Sequence, residues 1–545
     1  MTRINGLIFS LSKLGIRAVG RLFKASIHVC GTENIPNGVT IFMVNHFTRL
    51  ETLILAHEFY KITGRPVMSL AYHGLFTGAL GTYLENVGAV STKDPDRDKT
   101  IVCSLLTGDH SWLMFPEGAM IKDKKIIERG KFLIYSATGS RRPPHTGAAA
   151  LALRAEFYRQ RLRRLEQTDP PLLSQQLEVF GLDSPEQVTD RETFLVPVNV
   201  SYYPIRSRQN AIDKLASYLV RDIPERFREE LQTEGTMLLS GVDMDIRLGK
   251  PLPVKPWLNH RRIQRDIVAP RPIQPDEVLP SRPLVRKIAS RLTVQAMASI
   301  YSMTTVNHDH LAAYLLKYYP GHRLSIFDLA ERLYMASKAA LRLKGIRLHG
   351  SLHQDQCVQL CRQYPRKLAD FLQAAKNSGV VEVEENTIHR KQGKITPAFN
   401  FHTVRRDNPY QVILNEVECL RPLTRRLRLI ARQPRCLMRW KLRRRFRRLD
   451  RERFVADYNA YRRDGETKPM HIGAPFLLRR FRARAGVLLV HGYMAAPQEV
   501  RPLAGYLHKH RYMVYAPRLR GTVPPPKTWP SEPGKTGWSL WSAAI

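Results

Sequence analysis

The stretch IFMVNHFTRLETLIL, Ile41 to Leu55, sets apolar strand material directly against an Asn-His pair, and an acidic residue follows the histidine five places on. A short apolar run bounded by polar residues reads as a buried strand, and the apolar residues at helical spacing beyond it read as a helix beginning near Thr48. That handover places His46 at a strand end beside a helix N-terminus, where backbone N–H groups and partial positive charge favour anionic groups. Glu51, in the first helical turn, can reach back to one ring nitrogen, fix the tautomer and leave the other nitrogen free to take a proton. Capping alone also produces a His-Glu pair at a helix start, so a second element must decide between chemistry and architecture.

Working outward, short apolar runs (VTIFMV, SWLMF, TFLVPVNV) alternate with helical stretches between Val39 and Val200, which predicts a mixed α/β domain. DIRLGKPLPV, Asp245 to Val254, reads as one more strand closed by prolines, and the domain is expected to span residues 27–258. The second element is WLMFPEGAM, a strand ending in a turn with Pro116, Glu117 and Gly118 at its tip. Glycine lets a ligand approach the backbone closely, and a carboxylate at a strand end can accept hydrogen bonds from hydroxyls.

In this order and separation the two elements resemble the phospholipid and glycerol acyltransferases, which include the glycerol-3-phosphate and 1-acylglycerol-3-phosphate enzymes. The family's Asn-His, four residues, Asp motif appears as Asn45-His46-Phe47-Thr48-Arg49-Leu50-Glu51, with Glu for Asp. Its Phe-Pro-Glu-Gly block is Phe115-Pro116-Glu117-Gly118, and Val196-Pro197-Val198 resembles its fourth motif. The resemblance covers roughly Ile27 to Val254. It implies a mixed sheet flanked by helices and direct acyl transfer without a metal or cofactor. The donor would be acyl-CoA or acyl-carrier protein, the acceptor a glycerol phosphate or lysophospholipid. His46 would be the base and Glu51 its partner, with Asn45, Glu117 and Gly118 on the substrate. VGAVSTKDPDR matches the second motif loosely, leaving Lys93 or Arg97 as the cation for the phosphate.

The 545 residues carry a formal charge of +38, so the chain can bury more than one core and must meet something anionic. In the segment expected as a helix over residues 1–26, Lys13, Arg17, Arg21 and Lys24 share one face, and Leu7, Leu11, Leu14, Ala18 and Leu22 gather on the other. Such a helix either packs on its own domain or lies in a headgroup plane. After a Pro- and Arg-rich connector (259–283) and a helical region (284–420) comes the most basic segment (421–468), where arginine alternates with Leu, Trp and Phe. It is a solvated connector or a surface for a polyanion. Without a recognised nucleic-acid module around it, an anionic membrane is the expected partner and nucleic acid is not. No run is apolar enough to span a bilayer, and the six cysteines form no framework. The expected location is therefore cytoplasmic, peripheral on the inner face of the cell membrane.

Two further patterns carry no chemistry. His349, His353, Cys357 and Cys361 recur every four residues, and on one straight helix they spread over about 18 Å, too far to meet one ion. Asn307 before an apolar periodic run reads as a helix cap. The last block (469–545) resembles the opening of an α/β-hydrolase, with LLVHGY as strand and oxyanion turn, but it lacks the G-x-S-x-G elbow and its partners. It is read as an incomplete fragment with an irregular tail after Gly521. A lipid hydrolase acting through that block and a non-enzymatic anion-binding module are the competing functions.

Overall fold

The structure, a computed structural model, describes residues 26–46, 51–76, 78–118, 127–128, 131–135, 141–204, 242–360, 366–395, 409–462, 467–492 and 495–519. The expected N-terminal helix, Thr48 and the tail beyond 519 lie outside the described residues. Two compact units are present, the first built from residues 1–306 with 345–347 and 396–421, the second from the remainder.

The first unit is organised on an eight-stranded sheet. Its strands are β1 (Ile27–Cys30), β2 (Val39–Val44), β3 (Val67–Ala71), β4 (Ala89–Ser91), β5 (Ser111–Met114), β6 (Thr193–Tyr203), β7 (Asp243–Leu248) and β8 (Leu252–Pro253). The order is β1-β7-β6-β2-β5-β3-β4, with β8 also on β6. From β6 to β4 every neighbour is parallel, so the carboxyl ends of these strands open on one edge of the sheet. β2 lies in the middle of the sheet with Ile41, Phe42, Met43 and Val44 all fully buried, which is why it reads as an unbroken apolar run rather than an alternation. The expected strand at Asp245 to Val254 is split into β7 and β8 around Gly249 and Lys250. β7 pairs with β6 from Val198 onward and β8 with Phe194 and Leu195. The missing N–H of Pro197 therefore falls where the antiparallel ladder breaks, so no ladder hydrogen bond is lost on that side.

Helices α1 (Glu51–Thr63), α2 (Gly78–Asn86), α3 (Arg97–Thr107), α4 (Gly147–Thr168) and α5 (Pro170–Phe180) connect the strands. Ala149, Ala152 and Ala155 let α4 approach closely, and all three are fully buried in the main core. That core does not stop at residue 258. Ile263, Ile267 and Ile273 of the connector join it, as do Leu292, Ala296, Ile300 and Tyr301 of α7 (Arg282–Ser302). The connector contains α6 (Arg261–Ile267) and is stapled down by the fully buried Arg161. Its guanidinium donates to the carbonyl of Ile267 at 2.7 Å and to Gln176 Oε1 at 2.8 Å, while Gln176 in turn bonds both backbone groups of Ile273. A buried guanidinium that satisfies several carbonyls orders a segment whose composition alone reads as a linker.

The second unit holds α8 (His308–Tyr318), α9 (Ile326–Ala340) and α10 (Arg366–Asn377). Asn307 caps α8 by accepting from the His310 N–H at 3.1 Å. The region read as helical also contains a three-stranded sheet of β9 (Arg323–Ser325), β10 (Val381–Glu384) and β11 (Thr387–Arg390). Strands this short leave little periodicity to detect. The single straight helix assumed for the His349 to Cys361 pattern is not formed between His349 and Leu360, and Cys361 lies outside the described residues. A one-turn helix, Gly350–His353, is followed after a break by a 3₁₀ turn, Gln356–Leu360.

The basic segment forms α12 (Arg421–Arg432) and α13 (Arg435–Tyr461), numbered after α11 (Pro409–Glu418) of the first unit. Pro434 separates α12 from α13, and buried Arg332 caps the carbonyls of Ile430, Ala431 and Gln433 at the end of α12. The last block has the expected strand, helix, strand order in β13 (Gly486–Leu488), α14 (Arg501–Lys509) and β14 (Met513–Ala516). An antiparallel edge strand, β12 (Phe476–Leu478), precedes them. No helix among the described residues is long and apolar enough to cross a membrane.

Candidate active site

At the carboxyl end of β2 the chain turns into the Asn45-His46 pair. Asn45 is 1% exposed, and its amide is taken up by the neighbouring strand, Nδ2 donating to the Val200 carbonyl at 3.0 Å and Oδ1 accepting from the Val200 N–H at 2.7 Å. The residue expected on substrate thus closes the gap between β2 and β6. Its side chain stands in for the backbone ladder where the two strands diverge.

His46 is held at both ends. Its backbone N–H donates to Glu117 Oε2 at 2.7 Å, and its ring Nδ1 lies 3.2 Å from Glu51 Oε2. With Nδ1–H donated to that carboxylate, Nε2 is the nitrogen left with its lone pair available. The ring lies against Phe115, with centroids 4.3 Å apart, and its side chain retains 17% exposure. Glu51 is fully buried, and its Oε1 accepts from the Tyr202 hydroxyl at 3.0 Å. The Tyr202 bond, reaching in from β6, steadies the carboxylate that orients the imidazole.

Glu117 does not face an open cleft. It is 1% exposed, and besides the His46 N–H it accepts a hydrogen bond from the Tyr301 hydroxyl on α7. Its carboxylate joins the two turns rather than reaching for substrate hydroxyls. Gly118, at φ +61°, occupies the left-handed region, and a Cβ there would come within 2.3 Å of the His145 ring, so the turn requires glycine on both counts. Arg142 donates to the Glu117 carbonyl at 2.6 Å. Partial burial holds its pKa below the ordinary arginine value, with the Glu117 charge opposing that shift.

The two cations expected for a phosphate lie elsewhere. β4 is three strands from β2, about 14 Å at the usual strand spacing. Lys93, just after β4, is exposed. Arg97 opens α3 and spends its guanidinium on Asp98, at 2.7 and 2.9 Å, and on the Thr92 carbonyl at 2.8 Å. Among the described cations, Arg142 is the one in direct contact with the Phe-Pro-Glu-Gly turn. Tyr202, Arg142 and Tyr301 have no signal in the sequence beyond their residue types. Each reaches the site through tertiary packing, Tyr301 across 184 residues.

The arrangement can take a proton from a hydroxyl at Nε2 and hold the resulting imidazolium against a buried carboxylate. No nucleophile of the chain's own stands among these contacts. Residues 26–172 match the model of the Acyltransferase family, a span that contains His46, Glu51 and the Phe-Pro-Glu-Gly turn and leaves Tyr202 and Tyr301 outside it. No curated protein matches the chain. Among solved structures, the 1-acyl-sn-glycerophosphate (LPA) acyltransferase PlsC from Thermotoga maritima aligns over 53% of this chain and 78% of its own, at 13% identity and a TM-score of 0.24. A likeness that slight decides nothing about this chain. The family match rests on the sequence of the first unit, where residues 26–172 are similar to the Acyltransferase family.

Proposed function

We propose that the chain moves a fatty acyl group from a thioester, acyl-CoA or acyl-carrier protein, to a hydroxyl of a glycerol phosphate or lysophospholipid. The observation that carries this reading is the double hold on His46, ring to Glu51 and amide to Glu117. Nε2 removes the acceptor's proton as its oxygen attacks the thioester carbonyl. The tetrahedral intermediate then collapses, the C–S bond breaks, and the imidazolium returns the proton to the departing sulfur. Glu51 stabilises the imidazolium between the two transfers. Arg142, beside Gly118, supplies the charge nearest the turn for an acceptor phosphate, in place of Lys93 or Arg97.

An anionic membrane surface is the proposed partner of the basic helices. On α12 and α13, Leu429 (65% exposed), Leu437 and Trp440 stand out among exposed arginines, the composition of an interfacial contact. The function is tested by incubating the purified protein with labelled acyl-CoA and a panel of glycerol-3-phosphate, lysophosphatidate and other lysolipids. One acceptor should be acylated, and His46→Ala should lower the rate about a thousandfold or more. Full activity in His46→Ala would show that the base has been misassigned.

A further inference from the structure

A second polar site lies at the opposite edge of the sheet. β6 runs parallel to β2 with Thr193 beside Val39 and Val198 beside Val44. Thr193, beside the groove, is therefore about 17 Å along the strand from the level of Val44, and His46 lies two residues further on. Its volume is about 680 Å³, within the range of small-ligand sites. The second half of α4 forms one wall, α6 the other, and Lys255 closes an end.

The charges in this groove do not balance. Each of its carboxylates is already paired: Glu156 with Arg159, Asp190 with Arg163 at 2.7 Å, and Glu192 with Lys255 at 3.0 Å. Arg164, Arg261 and Arg265 also line it, and none of the three has an ion-pair partner among the described residues. Arg261 and Arg265 are four apart on α6, so two like charges share one helix face, which is unfavourable unless an anion lies between them. The wall beneath belongs to α4. Arg159, 4% exposed, and Gln160 and Arg163 make that wall polar.

We infer that this groove binds a small molecule carrying at least two phosphoryl groups. Guanidinium forks match phosphate oxygens in charge and geometry, and the space exceeds what a lone phosphate would fill. Because the sheet separates the groove from His46, the site works independently of the acyl-transfer reading. Titration calorimetry of the full chain with ADP and with inorganic pyrophosphate tests it. Wild type and His46→Ala should bind both saturably, and Arg261→Gln/Arg265→Gln should bind at least tenfold more weakly. The same double variant should keep its acyl-transfer rate and its unfolding midpoint. If that midpoint falls, Arg164→Gln, a single exposed change on α4, should show the same direction of loss. Three outcomes overturn the proposal: equal binding by the arginine variants, loss of binding in His46→Ala, or heparin bound while ADP and pyrophosphate are not.

Discussion

Glu51 differs from the aspartate of the family's motif by one methylene, and the structure accommodates that length by burying the carboxylate between His46 and Tyr202. Shortening it should be tolerated because the carboxylate charge survives. Glu51→Asp is expected to keep much of the transfer rate, whereas Glu51→Gln, which removes the charge facing the imidazolium, should lose between about 10²- and 10⁴-fold. Initial rates with labelled acyl-CoA distinguish the two. The dyad was legible in the sequence because its members are five residues apart across one strand-to-helix turn. The contacts around it were not. Glu117 carries the expected motif, yet only folding shows its carboxylate turned inward to the His46 amide and Tyr301. Nothing in residue type distinguishes Tyr202 or Arg142 from the other tyrosines and arginines of the chain.

At the scale of elements, β2 and β6 are joined twice, by their parallel ladder and by the Asn45 amide beyond its end. Asn45→Ala strands the N–H and carbonyl of Val200 in a buried place, so it should cost about 1–3 kcal/mol in chemical denaturation. The positions of β2, β5 and β6 followed from hydrophobic pattern, whereas β1, β3 and β4 were not read from it. The placement of β6 beside β2, about 150 residues later, did not, because strand order is settled by long-range packing. The short strands of the second unit were missed for lack of length.

In that unit α8 carries a pH dependence. Burial pushes His308 down to about 4, against the opposing effect of its 2.7 Å hydrogen bond to Gln356. Its folded value lies below the ordinary 6.5, so the unfolded chain binds the proton more readily. Stability from this group is complete above pH 6.5 and is lost as pH falls toward 4, by on the order of 3 kcal/mol. The urea midpoint of the transition that includes α8 should drop across that window, and His308→Asn should flatten the slope.

Over the whole molecule, the formal charge of +38 governs association rather than fold. If the basic helices meet a bilayer, binding should require anionic vesicles, weaken with salt, and decline further in Trp440→Ala, which removes an exposed aromatic with Arg444 over its ring at 5.5 Å. Vesicle co-sedimentation at two salt concentrations measures this, and equal binding to neutral vesicles would count against it. The span that matches the Acyltransferase model lies in the first third of the chain, yet a fully buried tyrosine near residue 300 bonds to its Phe-Pro-Glu-Gly turn. If His46 is the proton acceptor, its grip by amide and ring together ties the tempo of turnover to scaffolding as much as to chemistry. Gentle warming that slackens α7 should therefore silence turnover while most of the sheet is still intact.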